Sequence, residues 1–338
     1  MKNSITIARF LCGLLVLLGG VATVSSQTAQ VAVPASEGLV VYAKAGRINF
    51  AEGEVRSRRT DNDTGKPVAT AYEIAVGDII STGADARLEV LLNPGSFLRV
   101  GENAEFQMLS TDLENIHFVL RRGSALIEAG GNKDFVSRMR ISTPSGLAYL
   151  SSRGLYRVDI VPEGTVFAAI KGTLTLGSKT ITLRDGERVT VTGNGAGQVA
   201  KLEKSFTPDP LESWSHDRAD RLAAASRRMN REKLAAAMRR AAASNIFVSS
   251  LRGQAGIWGA DGSGGSYTFI PVLRDWRSPY GFGYANLSAS SMGRYSSGFY
   301  TGMVPGPRGI PTPPMRLQDP KPPPPPPPPP RAPGTYQR

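Results

Sequence analysis

Two histidines, His117 and His216, are the side chains of this chain that ordinarily titrate near neutral pH, and either could serve as a general base or a metal ligand. Neither has a Cys or a second His at ligand spacing, so His117 reads as a strand-face residue and His216 as an exposed helix residue. The segment Asp61-Asn62-Asp63-Thr64-Gly65 begins like a calcium loop. Its fifth position is Gly and no downstream Glu closes it in register, so it reads as a turn. Gly262-Ser263-Gly264-Gly265-Ser266 is Gly-rich, but the Lys-Ser or Lys-Thr pair that completes a phosphate cradle does not follow, and it reads as a flexible linker. No serine occupies a Gly-x-Ser-x-Gly elbow. Carboxylates recur along the candidate strands, and whether two of them share a cleft is decided by tertiary structure alone. The expectation is a chain with no catalytic residue, no metal site and no cofactor. What remains are aromatics in a Gly-rich segment, Trp258, Tyr267, Trp276, Tyr280 and Tyr284, which could stack on sugar rings or enter a partner groove. Packing against the rest of the chain is the favoured use of these rings.

From Leu39 to about Thr192 the chain is a succession of short runs of Val, Ile, Leu, Thr, Tyr and Phe, punctuated by Gly, Asn, Asp and Pro. That is the pattern of an all-β domain. Ala86-Arg87-Leu88-Glu89-Val90-Leu91-Leu92 alternates until its end, Asn93-Pro94-Gly95-Ser96 supplies a turn, and Phe97-Leu98-Arg99-Val100 returns, which predicts a hairpin. Further strands are predicted around Leu39–Lys44, Ile48–Phe50, Ile79–Ser81, Ala104–Leu109, Ile116–Leu120, Ser124–Ala129 and Arg138–Thr143. The series continues through Leu147–Leu150, Leu155–Ile160, Thr165–Ala169, Gly172–Leu176, Lys179–Leu183 and Arg188–Thr192. A β domain over 39–205 is long enough to bury a core of its own, and short strands fit a sandwich and a solenoid equally well. Two segments, Ile74-Ala75-Val76-Gly77-Asp78-Ile79 and Leu183-Arg184-Asp185-Gly186-Glu187-Arg188-Val189, each set a Gly and an acid between apolar runs, as tight reversals do.

Lys2 and Arg9 precede an apolar stretch from Phe10 to Val24, and Ser25 and Ser26 follow. This order of charge, apolar run and small residues predicts a secretory signal peptide over 1–26, cleaved near Ser26. The stretch falls short of the roughly 20 residues that span a bilayer, which makes a retained anchor the second choice. Cys12, the only cysteine, would leave with the signal, so disulfides are not expected in the mature chain. No later run reads as a membrane span. The net charge of +12 is unevenly placed: 21 basic and 21 acidic residues balance between Gln27 and Pro210, whereas 211–240 holds 8 basic and 4 acidic and 246–338 holds 9 and 3. In an exported protein such a basic C-terminal part pairs with anionic envelope surfaces rather than with nucleic acid.

A family resemblance runs through the β region. Ala45-Gly46-Arg47-Ile48-Asn49, Glu52-Gly53-Glu54-Val55, Val76-Gly77-Asp78-Ile79-Ile80-Ser81-Thr82-Gly83, Ala86-Arg87-Leu88-Glu89-Val90 and Pro94-Gly95-Ser96-Phe97-Leu98-Arg99-Val100 resemble the FecR domain in order and spacing. So do Leu120-Arg121-Arg122-Gly123, Ile141-Ser142-Thr143-Pro144, Arg153-Gly154-Leu155-Tyr156-Arg157-Val158, Ile170-Lys171-Gly172 and Leu183-Arg184-Asp185-Gly186. The resemblance covers about half the chain and implies a periplasmic interaction module. Signalling members of that family usually begin with a cytoplasmic segment that contacts a sigma factor. Here the signal peptide begins at Met1, so direct sigma-factor control is not implied. Leu155 stands where the family has Thr.

Residues 208–243 change character: after Pro208 and Pro210, Leu, Ala, Arg and Met dominate, predicting a long basic helix, largely solvated because its apolar positions form no single stripe. A charged spacer is favoured there over contact of residues 211–240 with an anionic surface. Residues 246–304 form the Gly and aromatic segment. Residues 305–338 are Pro-rich and expected to be disordered, with nine consecutive prolines from Pro322 to Pro330. That run gives a stiff spacer of roughly 28 Å, or alternatively a ligand for an aromatic groove. The expectation is a non-catalytic binding or scaffolding protein of the periplasm or envelope whose partner is another envelope protein or a wall polymer. The alternatives are a sensor relaying the state of an outer-membrane transporter to a membrane-bound signalling partner, and an enzyme acting on wall polysaccharide.

Overall fold

The computed structural model describes residues 40–41, 45–130, 139–151, 153–177, 181–203, 209–229, 256–260, 266–271 and 276–285. The chain divides into two units between Met292 and Gly293, and every described residue lies in the first. The expected signal peptide, the part of the expected helix beyond Met229 and the expected disordered proline-rich tail fall outside the described residues.

The elements begin with β1 (Val40–Val41), β2 (Ile48–Glu52), β3 (Val55–Arg58), β4 (Lys66–Pro67), β5 (Ile79–Thr82), β6 (Arg87–Leu91) and β7 (Phe97–Val100). They continue with β8 (Glu105–Ser110), β9 (His117–Arg122), β10 (Ser124–Gly130), β11 (Met139–Thr143), β12 (Gly146–Leu150), β13 (Arg153–Val161) and β14 (Gly164–Lys171). Then come β15 (Leu174–Leu176), β16 (Ile181–Leu183), β17 (Glu187–Thr192), β18 (Gly195–Ala196), β19 (Ala200–Lys201), helix α1 (Pro210–Arg228), β20 (Gly256–Ala260) and β21 (Tyr267–Pro271).

Two nine-stranded sheets result. Sheet I runs β18-β17-β14-β13-β10-β7-β6-β2 with β19 also on β17, and sheet II runs β16-β15-β12-β11-β9-β8-β5-β3-β4. Apart from β4, both orders follow the chain from one edge to the other, because successive hairpins are laid alternately on the two sheets. The two sheets together are therefore a sandwich in cross-section and a solenoid in their winding, which reconciles the two expected topologies. Where β10 crosses singly into sheet I, its flanking strands β9 and β11 meet in parallel, whereas the remaining strand pairs are antiparallel. The predicted hairpin is β6–β7, with Leu88 opposite Val100 and Leu91 opposite Phe97. Gly77 and Gly186 both adopt positive φ, +92° and +73°, as the two repeated turn segments require.

One core lies between the sheets. Leu88, Val90, Leu98, Val100, Ile127, Val158 and Phe167 from sheet I meet Ile80, Phe106, Met108, Phe118, Leu120, Ile141 and Leu174 from sheet II, all buried. A third layer covers the far face of sheet I. It comprises α1, a small sheet in which β20 pairs with both β1 and β21, and residues 276–285. Over Pro210–Arg228 the expectation of a largely solvated helix is corrected. Leu211, Ser215, Ala219, Leu222, Ala223 and Ser226 are buried in one stripe at three- and four-residue spacing. Four of these six are Ser or Ala, which a search for large apolar residues passes over, yet small side chains are what let a helix backbone close on a sheet. The helix begins where Asp209 caps it, its carboxylate accepting from the Leu211 and Glu212 amides at 2.9 and 3.2 Å with Pro210 in the first turn.

Candidate functional site: the charged face beneath the cap

In β6, β7 and β10 one set of side chains enters the core and the alternate set faces the third layer. On that second face lie Glu89, Arg99 and Glu128, each with no exposed surface. Glu89 stands opposite Arg99 across the β6–β7 pair, and β10 runs on the other side of β7. Arg99 donates from Nε to Glu89 Oε2 at 2.9 Å and from Nη1 to Glu128 Oε2 at 2.8 Å. The same Nη1 reaches Ser215 Oγ of α1 at 2.9 Å, and Tyr280 donates its hydroxyl to that oxygen at 2.8 Å. Arg218 of α1 donates to Glu89 Oε1 at 3.0 Å, so two guanidinium groups meet two carboxylates. Asn49 completes the array: its amide nitrogen donates to Glu89 Oε1 at 2.7 Å and to the Tyr267 carbonyl at 2.9 Å, while its Oδ1 accepts from the Tyr267 amide at 2.6 Å.

The two carboxylates are unequal. Burial drives both toward the neutral form, but Glu89 also has Arg218, Arg99 and the Asn49 amide, and these hold it below the usual range. Glu128 shares Arg99 with Glu89 and feels the Glu89 charge, so burial prevails and its pKa is raised. Burial also disfavours charge on Arg99, yet Glu128 and Glu89 outweigh it and keep the guanidinium firmly protonated. Tyr280 is pushed up to about 12, chiefly by burial. For a carboxyl raised in the folded state, the native chain holds a proton that the unfolded chain has already lost. The contribution of Glu128 to stability is thus full below its unfolded pKa near 4.3 and falls as pH rises from there through the folded value. Glu128→Gln is accordingly expected to gain on the parent chain as pH rises through that window, measured by urea unfolding at a series of pH values. A constant difference across the series would show that Glu128 does not titrate differently on folding.

The aromatic residues singled out in the sequence surround this network. Trp258 has no exposed surface and stands edge-on to Phe97 and Phe269, with ring centroids 5.1 and 6.0 Å away. Trp276 lies 4.6 Å from Phe269 and 5.1 Å from Tyr284, and its Nε1 donates to the Gly130 carbonyl at 2.9 Å. Tyr284 is buried; Tyr267 is buried with the Arg47 guanidinium 5.0 Å over its ring. Tyr280 is half-buried above Ser215. All five are brought into one layer against sheet I. Four fully or nearly fully buried polar atoms of this interface have no hydrogen-bond partner among the described residues: Arg99 Nη2, Glu128 Oε1, Trp258 Nε1 and Tyr284 OH.

A second set of contacts fastens the start of α1. Arg157 of β13 holds Asp159 on its own strand and reaches Asp209 and Glu212 at 2.7 and 3.2 Å. Elsewhere, His117 lies half-buried on the outer face of sheet II with its Nε2 2.9 Å from Ser142 Oγ, and burial together with Arg140 lowers its pKa. His216 lies exposed on α1, edge-on to Tyr280 and Phe282. Asp61 is drawn to Arg58 and Arg121 at 3.1 and 2.6 Å, and Asp63 accepts from the Gly65 amide, so the calcium-like segment is folded as a turn. Among the described residues no three His, Cys, Asp or Glu side chains converge as a metal site, and no helix is long and apolar enough to cross a membrane.

Reading the sequence for chemistry missed Glu89, Arg99 and Glu128, because a charged residue at an alternate strand position reads as solvated. The signal that both faces of sheet I are covered was present. Leu91 breaks the alternation of β6, and β10 reads Ala-Leu-Ile before Glu128.

A comparison with curated proteins finds no match. Two crystal structures from Parabacteroides distasonis, provisionally described as anti-sigma factors, share 14% and 11% identity with this chain. They cover 41% and 42% of it and 71% and 64% of their own lengths, with TM-scores of 0.33 and 0.31. Scores of that size transfer neither architecture nor role. The family model described as FecR protein matches residues 78–175, a span that begins at the turn before β5, ends in β15 and contains Glu89, Arg99 and Glu128. Residues 78–175 thus match the FecR family model, and the two facing sheets continue beyond that span on both sides, from β2 to β19.

Proposed function

We propose that this is a non-catalytic binding or scaffolding protein of the cell envelope, exported to the periplasm, in which the FecR domain presents a rigid platform to another envelope protein or a wall polymer. The observation that carries this reading is the state of the strongest acid–base cluster. Glu89, Arg99 and Glu128 are fully buried, and the groups they touch are one another, Asn49 of β2 and the layer above, so a substrate has no approach to them while that layer is in place. Charged side chains held this way organise an interface instead of a reaction. The FecR match supports a signalling variant of the same reading, in which the bound partner is an outer-membrane transporter or a membrane-bound signalling protein.

Crosslinking of the full chain in intact cells, followed by identification of the adducts, separates the possibilities. Adducts to an envelope protein or to wall glycan support a platform role, and joint recovery of a transporter and a membrane-bound signalling protein supports relay. Turnover of purified wall glycan that a single Asp or Glu substitution abolishes would refute the non-catalytic reading.

A further inference from the structure

The third layer meets sheet I differently from the way sheet II does. Between the two sheets the contact is apolar. Between sheet I and the third layer, an apolar patch of Leu91, Phe97, Trp258 and Phe269 lies beside the charged array, and the helix is held to the sheet by Arg218 to Glu89, Ser215 to Arg99, and Asp209 and Glu212 to Arg157. Arg99 Nη2, Glu128 Oε1, Trp258 Nε1 and Tyr284 OH, which have no hydrogen-bond partner among the described residues, all belong to this one interface. A buried polar network whose members are incompletely satisfied contributes less than an apolar contact of the same size. Such a contact is the first to open while the rest of the molecule stays folded. Within the layer, contacts tie the parts into one body: Thr268 of β21 donates to the Leu222 carbonyl of α1 at 2.6 Å, Arg227 donates to the Gly283 carbonyl at 2.6 Å, and the Ala285 amide donates to Ser226 Oγ at 3.2 Å. On separation Arg218 leaves with the body while Arg99 and Arg157 stay on the sheet, and water takes up the charges so uncovered.

We propose that α1, β20–β21 and residues 276–285 form a releasable cap, latched by Arg218 on Glu89, that occludes the charged face of sheet I. The inference rests on the platform reading, since the occluded face is what a partner would use. Release uncovers Glu89, Arg99 and Glu128 together with Leu91 and Phe97, a row of alternating charge beside an apolar patch. The face then matches the chemistry of the element that covers it: a helix bearing small residues and one guanidinium.

Native-state amide exchange on the full chain, followed in increasing sub-denaturing urea, tests this without any substitution. The amides of α1, β20 and β21 are expected to exchange through one shared opening, roughly 10- to 100-fold faster than those of β7, β10 and β13. Arg218→Met should speed exchange of the cap by about a further tenfold while leaving β8 and β9 unchanged, with Arg218→Lys recovering part of the protection. Cap and sheet amides that exchange together in the parent chain, with Arg218→Met accelerating both alike, would overturn the proposal. That outcome would leave the platform reading standing, because a partner could still bind elsewhere. A cap that opens separately in a chain that crosslinks to nothing in the envelope would instead remove the platform reading and keep the latch.

Discussion

Arg99→Met should lower the stability of the folded chain by about 3–5 kcal/mol, the range expected when one member of a fully buried charge group is deleted. The guanidinium is held between Glu89 and Glu128 with no exposed surface on any of the three. Removing it leaves Glu128 without a cation and Glu89 with Arg218 alone. The second variant, Arg99→Met with Glu128→Gln, separates the loss of attraction from the cost of a buried carboxyl that has lost its cation and must take up a proton. Glu89 retains Arg218 and Asn49 in that background, and the residual loss should be roughly half that of the single change or less. Urea unfolding of the three chains at neutral pH measures both differences. A single variant within about 0.5 kcal/mol of the parent would mean that water reaches the site and the network is not closed.

Trp258→Ala should cost about 3–5 kcal/mol through a different cause, the cavity left by a large ring. Trp258 is the largest fully buried side chain among the described residues and stands between Phe97 of sheet I and Phe269 of β21, so its removal should unfasten the cap from the sheet. The loss should appear first as collapse of the near-ultraviolet circular dichroism of the aromatic cluster, with the far-ultraviolet β signal retained. Tyr149→Ala is the control: Tyr149 is 39% exposed on the outer face of sheet II, and its change should stay within about 0.5 kcal/mol. Equal effects of the two substitutions would show that the aromatic layer does not bind to the sheet through Trp258.

The two results bear on one question, how α1, β20, β21 and residues 276–285 are attached to sheet I. Arg99 tests the polar half of the interface and Trp258 the apolar half. Because both lie on the same face of sheet I, their effects should not be additive. A double variant losing clearly less than the sum of the two single losses would identify a shared docking event.

Much of the fold is legible along the chain, because β structure here is written in local terms. Apolar runs of strand length, the Asn93–Ser96 turn and the glycines at 77 and 186 set strand, reversal and register within a few residues of one another. The all-β class and the FecR resemblance are therefore sequence-level properties. So is the winding in part, since successive hairpins laid alternately on two sheets need only short-range contacts. The sequence alone does not say which alternate positions are wet. Glu89, Arg99 and Glu128 are ordinary polar positions in strands until α1, some ninety residues beyond the last of them, supplies Ser215 and Arg218. The helix itself looks solvated because its buried stripe is made largely of Ser and Ala, whose value depends on the surface they approach. Burial of charge and the worth of a small residue are both properties of a pair of surfaces, and only tertiary structure brings the second surface to the first.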